Sequence, residues 1–307
     1  MDTPKVIYIG GHGRSGTTIT DRVLAEVAGG FSAGEIHRFW AYGLAQDWKC
    51  SCGATLRACE FWGPVLRQSF SDAGVSEEEV LSAWKTVARP RSLLSLWYPR
   101  LRSARFRRRL ARYRAFLEVL YRTVSQRSGT RVIVDSSGSP LHGYVLAGLE
   151  EVEVAMVHLV RDVRAVAFSN QKHKPNPSAP APDATMRTKS APRVAATWML
   201  YNSLLEGLEA VMDTYALAKY EALFSRPKRE FDRLAGDLGV ESRAEDVFCG
   251  ENIRLSSEHV GQGNPVRQKR GIEKLAPDTE WVEKLSRINE TFMAHVCKTR
   301  LEKYSYL

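Results

Sequence analysis

The residues best suited to chemistry open the chain. Gly10 to Thr18 reads GGHGRSGTT. Glycines at that density let backbone N–H groups converge on an anion, and a helix starting just behind them adds the positive end of its dipole. Set against the nucleoside-triphosphate pattern G-x-x-x-x-G-K-[ST], Gly11 and Gly16 have the right spacing and Thr18 is in place, but Thr17 holds the lysine position. A basic residue stands three positions earlier, Arg14. Without the lysine, β- and γ-phosphates lose their main charge partner, so the loop suits a monophosphate carrying another group. A second constellation is Cys50, Cys52 and Cys59, spaced C-x-C-G-x5-C. Three thiols that close fit a metal site needing a fourth ligand, a disulfide, or packed free cysteines. A third is Val132-Ile-Val-Asp135, an apolar strand ending in a carboxylate, as in a magnesium-holding kinase or NTPase aspartate.

The elements that must position these groups alternate. Lys5 to Ile9 is a β-branched and aromatic run that stops at Gly10-Gly11, and a helical pattern follows over Thr17 to Ala28. A second strand, Arg131 to Val134, ends at Asp135-Ser136-Ser137, with helix-like residues 140 to 149 behind it. A third, Val152 to Val160, ends at Arg161-Asp162 and leads into a helix over Val163 to Gln171. Strand, polar turn, helix, repeated, predicts an α/β protein with a parallel sheet flanked by helices and a site at the strand carboxyl ends. Residues 76 to 128 read as a helical insertion. Residues 174 to 192, with Pro175, Pro177, Pro180, Pro182 and Pro192, read as a long mobile loop. Further helices are expected over 193–218, 227–238 and 279–302. No repeat or linker divides the 307 residues, so a single domain over 1–307 is expected.

Composition narrows the class. Hydrophobic residues make 44% and charged residues 26% of the chain, which excludes a disordered or fibrous protein. No apolar run approaches the roughly 18 residues of a membrane span, and the N-terminus lacks a secretory pattern, so a soluble cytoplasmic protein is expected. The net charge of +9 is concentrated: eight arginines fall between Arg100 and Arg114 with no acidic residue among them. Phe106, Leu110, Tyr113, Leu117, Leu120 and Val124 mark one apolar stripe of the same helix. The arginines then form either a solvated face or a docking face for an anionic acceptor or a membrane surface. No zinc-finger, RNP-type or basic-zipper pattern accompanies them, so nucleic acid is not an expected partner. Oligomeric state is not legible.

GRSGTT after a first strand, the Gly34-Glu35 pair, and LVRDVRAVAFS with Arg161 and Ser169 eight apart resemble the sulfotransferases that use 3′-phosphoadenosine 5′-phosphosulfate (PAPS). Asp135-Ser136-Ser137, Trp198 with Asn202, Tyr220-Glu221, and GNPVR at Gly263 to Arg267 are similar to pieces of the bacterial carbohydrate-type and tyrosyl-type branches. The resemblance implies a P-loop-like fold that transfers a sulfuryl group from PAPS to a hydroxyl of a sugar, phenol or other small molecule or glycan. The product nucleotide is 3′,5′-adenosine bisphosphate, and no metal is required. It implies that Arg14, Ser15, Gly16, Thr17 and Thr18 hold the 5′-phosphosulfate, with Arg14 near the bridging oxygen, and that Arg161 and Ser169 hold the 3′-phosphate. Tyr220 and a loop with Arg267 and Lys269 would close over the nucleotide, and Glu35 would take the acceptor proton. His37, two residues on, is a rival base. Related bacterial sequences often carry a lysine where this chain has Gly138, and Lys172 or Lys174 would be its substitutes. The alternatives are a P-loop kinase or NTPase, supported by Asp135, and a non-catalytic nucleotide-binding protein, suggested by Gly138.

Overall fold

A computed structural model describes residues 3–173, 175–176, 179–181, 184–186 and 188–307. Lys174 lies outside the described residues.

Five parallel strands form the central sheet: β1 (Lys5–Gly10), β2 (Phe31–Gly34), β3 (Val132–Gly138), β4 (Glu153–Val160) and β5 (Thr214–Lys219), in the order β2-β3-β1-β4-β5. Strand periodicity decides which residues face which layer. Val6 and Tyr8 point into one core with Ile133, Met156 and the helix-borne Phe116, Leu117 and Leu120. Ile7 and Ile9 point into the opposite core with Val134, Val157, Val23, Leu24 and Phe231. Helices therefore cover both faces. β1 sits at the centre, between β3 and β4, so its carboxyl end opens at the place where an open α/β sheet binds ligands.

The expected parallel sheet, its first three recognised strands and the first helix (α1, Thr17–Val27) are all present. Residues 76 to 128 are mostly helical, as expected, with helices Glu77–Val87 and Ala104–Ser128 joined by short turns. Ser76 begins this stretch with a capping box, its hydroxyl accepting from Glu79 N–H while Glu79 accepts from Ser76 N–H. Gly129, at φ 70°, ends it in the left-handed region that favours glycine. The helix Ala104–Ser128 buries all six residues of its apolar stripe. The arginines of the 100–114 stretch do not form a uniform face. Arg114 turns inward onto the Val145 and Tyr144 carbonyls, Arg102 onto those of Ser95 and Leu96, and Arg112 pairs with Glu79.

Two expectations need correction, and one small sheet is unforeseen. The helix expected over 193–218 stops at Glu206, and Thr214–Lys219 is β5. Its alanines favour a helix locally, but Ala216 and Ala218 pack against the sheet while the backbone pairs with β4, and tertiary pairing prevails. The helix expected over 279–302 is three pieces, Glu280–Lys284, Arg287–Val296 and Lys298–Lys303, interrupted where Ser286 caps the second. A small antiparallel sheet of β6 (Phe248–Cys249), β7 (Asn252–Leu255) and β8 (Gly271–Lys274) was not expected at all. Among the described residues no helix is long and apolar enough to cross a membrane.

Candidate active site

The loop between β1 and α1 is built for an anion. Gly16 caps α1 at φ 92° with no side chain satisfying the first N–H groups, and the first turn carries no acidic residue. A Cβ on Gly16 would lie 2.7 Å from the Tyr220 ring, so glycine is required by contact as well as by conformation. Arg14 also adopts a left-handed conformation, φ 74°, which costs a non-glycine residue energy and is characteristic of functional loops. Its Nη1 meets Met186 Sδ at 3.2 Å, whereas its buried Nη2 has no hydrogen-bond partner. Ser15 Oγ is likewise buried and unpartnered. Buried donors left unmade cost free energy, and two on one loop are free to bond a ligand's oxygens.

Arg161, at the end of β4, is brought to this loop. Its Nη1 donates to the Arg14 carbonyl at 3.1 Å and its Nη2 to the Asp278 carbonyl at 3.3 Å. The guanidinium carbon lies 4.3 Å from the centroid of the Tyr220 ring, and Nε is buried without a partner. The motif residues around it explain its placement. Trp198 Nε1 donates to the Arg161 carbonyl at 3.0 Å, Asn202 Oδ1 accepts from His158 Nε2 at 2.9 Å, and Glu221 accepts the Asp162 N–H at 3.2 Å. Ser169 is buried two turns along the helix Val163–Gln171.

Glu35 follows β2 and is held across from the phosphate loop by a segment from far along the chain. Its N–H donates to the Gln262 carbonyl at 2.9 Å, and Gly34 pairs with Gln262 in a parallel bridge. Next to Gln262, a Cβ on Gly263 would lie 3.4 Å from Thr18 Oγ1 and 3.6 Å from Glu35 Oε1, so loop threonine and carboxylate flank one point. The Glu35 carboxyl pairs with Arg38. Burial pushes its pKa above the usual carboxylate value; Arg38 and then Arg267 oppose that shift, and Asp135 adds to it. His37 is held far below its ordinary pKa by burial, with the Arg38 charge and His142 adding to the effect. It is a neutral imidazole, and its Nδ1 is buried without a partner.

Other assigned residues do different work from that expected. Arg267 is fully buried, with Nη1 on the Val260 and Gly261 carbonyls and Nη2 on that of Lys49. It braces the 260s loop from within. Lys269 is exposed and paired with Glu273. Lys172, expected to stand in for a basic residue at 138, is paired with Glu280. Position 138 favours glycine here: Gly138 has φ 67°, its carbonyl accepts Gly11 N–H at 3.2 Å, and a Cβ there would sit tightly, 3.1 Å from the Gly11 carbonyl oxygen. Asp135 is 0% exposed and engaged by Tyr121, Ser137 and His142, so it is spent on the fold and not presented to a metal.

A further cation, Lys189, stands at the end of the Pro-rich stretch, just before the helix Ala191–Glu206. Burial first, and then the charges of Arg193, Arg38 and Arg14, lower its pKa, which places it within a cluster of four cations beside the loop. His12, on the loop, is held at about 4 by burial and by Lys189, and hydrogen-bonds Thr197 at 2.9 Å. Tyr201 closes the cluster, its ring 5.5 Å from that of His12 and its hydroxyl feeling both Arg38 and Glu35. None of Lys189, Arg193 or Tyr201 carries a local motif; the only sequence signal was a basic pair flanking a helix start.

No protein-family profile matches this chain, and no curated protein does. Solved structures do. The sulfotransferase domain of the Synechococcus PCC 7002 olefin synthase is similar at a TM-score of 0.50 and 19% identity, over 96% of this chain and 95% of that domain. The sulfotransferase domain from the curacin biosynthetic pathway matches at 0.48 and 13%, over 96% and 98%, and sulfotransferase STF9 from Mycobacterium avium at 0.42 and 12%, over 99% and 77%. The first of these establishes that the chain has the α/β fold of a sulfotransferase domain.

Proposed function

We propose that the protein transfers a sulfuryl group from PAPS to a hydroxyl of a small-molecule or glycan acceptor. The observation that carries this reading is the pairing of an anion loop lacking the nucleotide lysine with a half-buried carboxylate across it. Arg14 Nη2 and Ser15 Oγ, both buried and unpartnered, belong to the loop that leads into α1, and Thr18 Oγ1 and Glu35 Oε1 flank one point beside Gly263. Glu35 takes the proton from the acceptor hydroxyl as its oxygen bonds to sulfur and the bridging S–O bond breaks. Arg14 and the first N–H groups of α1 stabilise the negative charge that grows on the departing phosphate oxygen. Arg161, with an unpartnered Nε, supplies a second anion site suited to the 3′-phosphate. Lys189, Arg193 and Arg38 add long-range attraction for a polyanionic donor.

Thermal unfolding with 3′,5′-adenosine bisphosphate against ATP–Mg tests the donor class. A ligand at 100 times its Kd adds about 2.7 kcal/mol of stability, so the bisphosphate should raise Tm by several degrees and ATP–Mg should not. Selective stabilisation by ATP–Mg would replace this reading with phosphoryl transfer. Turnover of labelled PAPS across sugars, phenols and other hydroxyl compounds then separates an enzyme from a binding protein.

A further inference from the structure

We infer that Cys50, Cys52, Cys59 and His259 form a structural zinc site that clips the 260s loop to the segment around Cys50. The four ligand atoms all lie within 4.8 Å of one another, although the histidine comes from 200 residues further along the chain. Cys52 Sγ and Cys59 Sγ are 3.7 Å apart, and Cys59 Sγ and His259 Nδ1 are 3.4 Å apart. A tetrahedron with zinc–sulfur bonds of about 2.3 Å and a zinc–nitrogen bond of about 2.0 Å has edges of roughly 3.8 Å between sulfurs and 3.6 Å from sulfur to nitrogen. The same sulfur separation is far beyond the roughly 2.05 Å of a disulfide, and all three cysteines are free.

The surroundings fit a metal-bound state. The turn that presents Cys50 and Cys52 is closed by Cys50 N–H on Ala54 and Gly53 N–H on Cys50, with Gly53 at φ 91°. Trp62 N–H points at Cys59 Sγ at 3.5 Å, the kind of amide–sulfur contact that steadies a metal thiolate. The His259 carbonyl accepts Trp62 Nε1–H at 2.6 Å, and its ring stacks on Phe61 with centroids 5.9 Å apart. Three thiolates and a neutral imidazole select Zn²⁺ by softness and geometry, and four protein ligands leave no open position for catalysis. Binding releases three thiol protons to solvent and leaves the centre with one net negative charge, which faces the buried Arg267 guanidinium near Cys50 and Cys52. Val260 and Gly261, whose carbonyls hold Arg267, directly follow His259, and Gln262 holds Glu35. The zinc clip thereby fixes the strip of backbone on which Glu35 is hung.

Tag-free protein grown with zinc should carry about one zinc per chain by mass spectrometry of the metal. Protein grown with cobalt should show the intense visible bands of tetrahedral Co²⁺ together with thiolate-to-cobalt charge transfer. Cys59→Ser and His259→Ala should each lose the metal, whereas Cys249→Ser, at an exposed cysteine outside the cluster, should retain it. If the cluster variants fold, the Gly261 and Glu35 amides should exchange hydrogen faster than in the wild type. If they do not fold, the zinc content and cobalt spectrum of the wild type still decide. Zinc at background level in the wild type, an octahedral cobalt spectrum, or a Cys52–Cys59 disulfide would overturn the inference. So would full zinc occupancy in both cluster variants.

Discussion

Arg161 stacks on Tyr220, 4.3 Å from ring centroid to guanidinium carbon, and from that position its Nη1 holds the Arg14 carbonyl. One side chain thus braces the phosphate loop and offers its remaining Nε to a ligand. Arg161→Ala should weaken binding of 3′,5′-adenosine bisphosphate by about 1.5–3 kcal/mol, the range for hydrogen bonds to a charged group. Adenosine 5′-phosphosulfate, which lacks the 3′-phosphate, should lose less, because only the brace is missed. Calorimetry giving equal losses for both ligands would reject the 3′-phosphate role.

Glu35 should be the base. Glu35→Gln keeps shape and hydrogen bonding, and kcat should fall by about 10²–10⁴ while nucleotide affinity holds. Burial raises the Glu35 pKa, so the native state binds a proton more readily than the unfolded chain, and stability falls as pH rises from the ordinary carboxylate value through the raised one. The glutamine variant should therefore unfold no earlier than wild type at pH 7. The acid limb of kcat/KM should lie above the ordinary glutamate value, and Arg38→Met should move it higher still by removing the cation that opposes the shift. His37→Ala is the control; its loss of activity with Glu35→Gln left active would make the histidine the base.

What could be read in the sequence was whatever chemistry is written locally. The β1–loop–α1 unit, the ends of β3 and β4, and the helix stripe from Phe106 to Val124 each lie in one short run whose period or glycine content has a single meaning. β2 was illegible because four residues are too few to show a period, and β5 because alanine favours helix until a neighbouring strand pairs with it. Glu35 could be named only through resemblance. What holds it, the Gln262 carbonyl, lies more than two hundred residues away. His259 and Lys189 were missed for the same reason: each is an ordinary residue in its own stretch and joins a cluster only through the fold.

Glycines 34 and 263 carry the geometry between those distant segments, and their substitution should separate stability from activity. A Cβ on Gly34 would meet the Gln262 carbonyl oxygen at 2.4 Å at φ 77°, so Gly34→Ala must part the two backbones. Gly263, at φ 142°, has ordinary contact distances to Thr18 and Glu35 and suffers mainly conformational strain. Such strain costs about 1–3 kcal/mol, and Gly34→Ala should exceed Gly263→Ala in urea unfolding. Gly263→Ala should fold but lose kcat, since its methyl lies between the loop threonine and the base. Equal, small effects on both measures would mean that the strip does not set the site.

Lys189 tests the cationic cluster. Its charge sits close to those of Arg14, Arg38 and Arg193, which raises the energy of the empty site and is relieved when an anion enters. Lys189→Gln should therefore weaken bisphosphate binding by about 1 kcal/mol, roughly fivefold in Kd, and make that binding less sensitive to salt. The ligand-free variant should be at least as stable as wild type, because a repulsive charge has been removed. Lys172→Gln, at a lysine tied to Glu280, should leave affinity unchanged. Titration calorimetry at two salt concentrations distinguishes the pair. If Lys172→Gln weakens binding and Lys189→Gln does not, the cation that complements Gly138 comes from the helix side of the loop, as first expected from the sequence, and the cluster around Lys189 has another role.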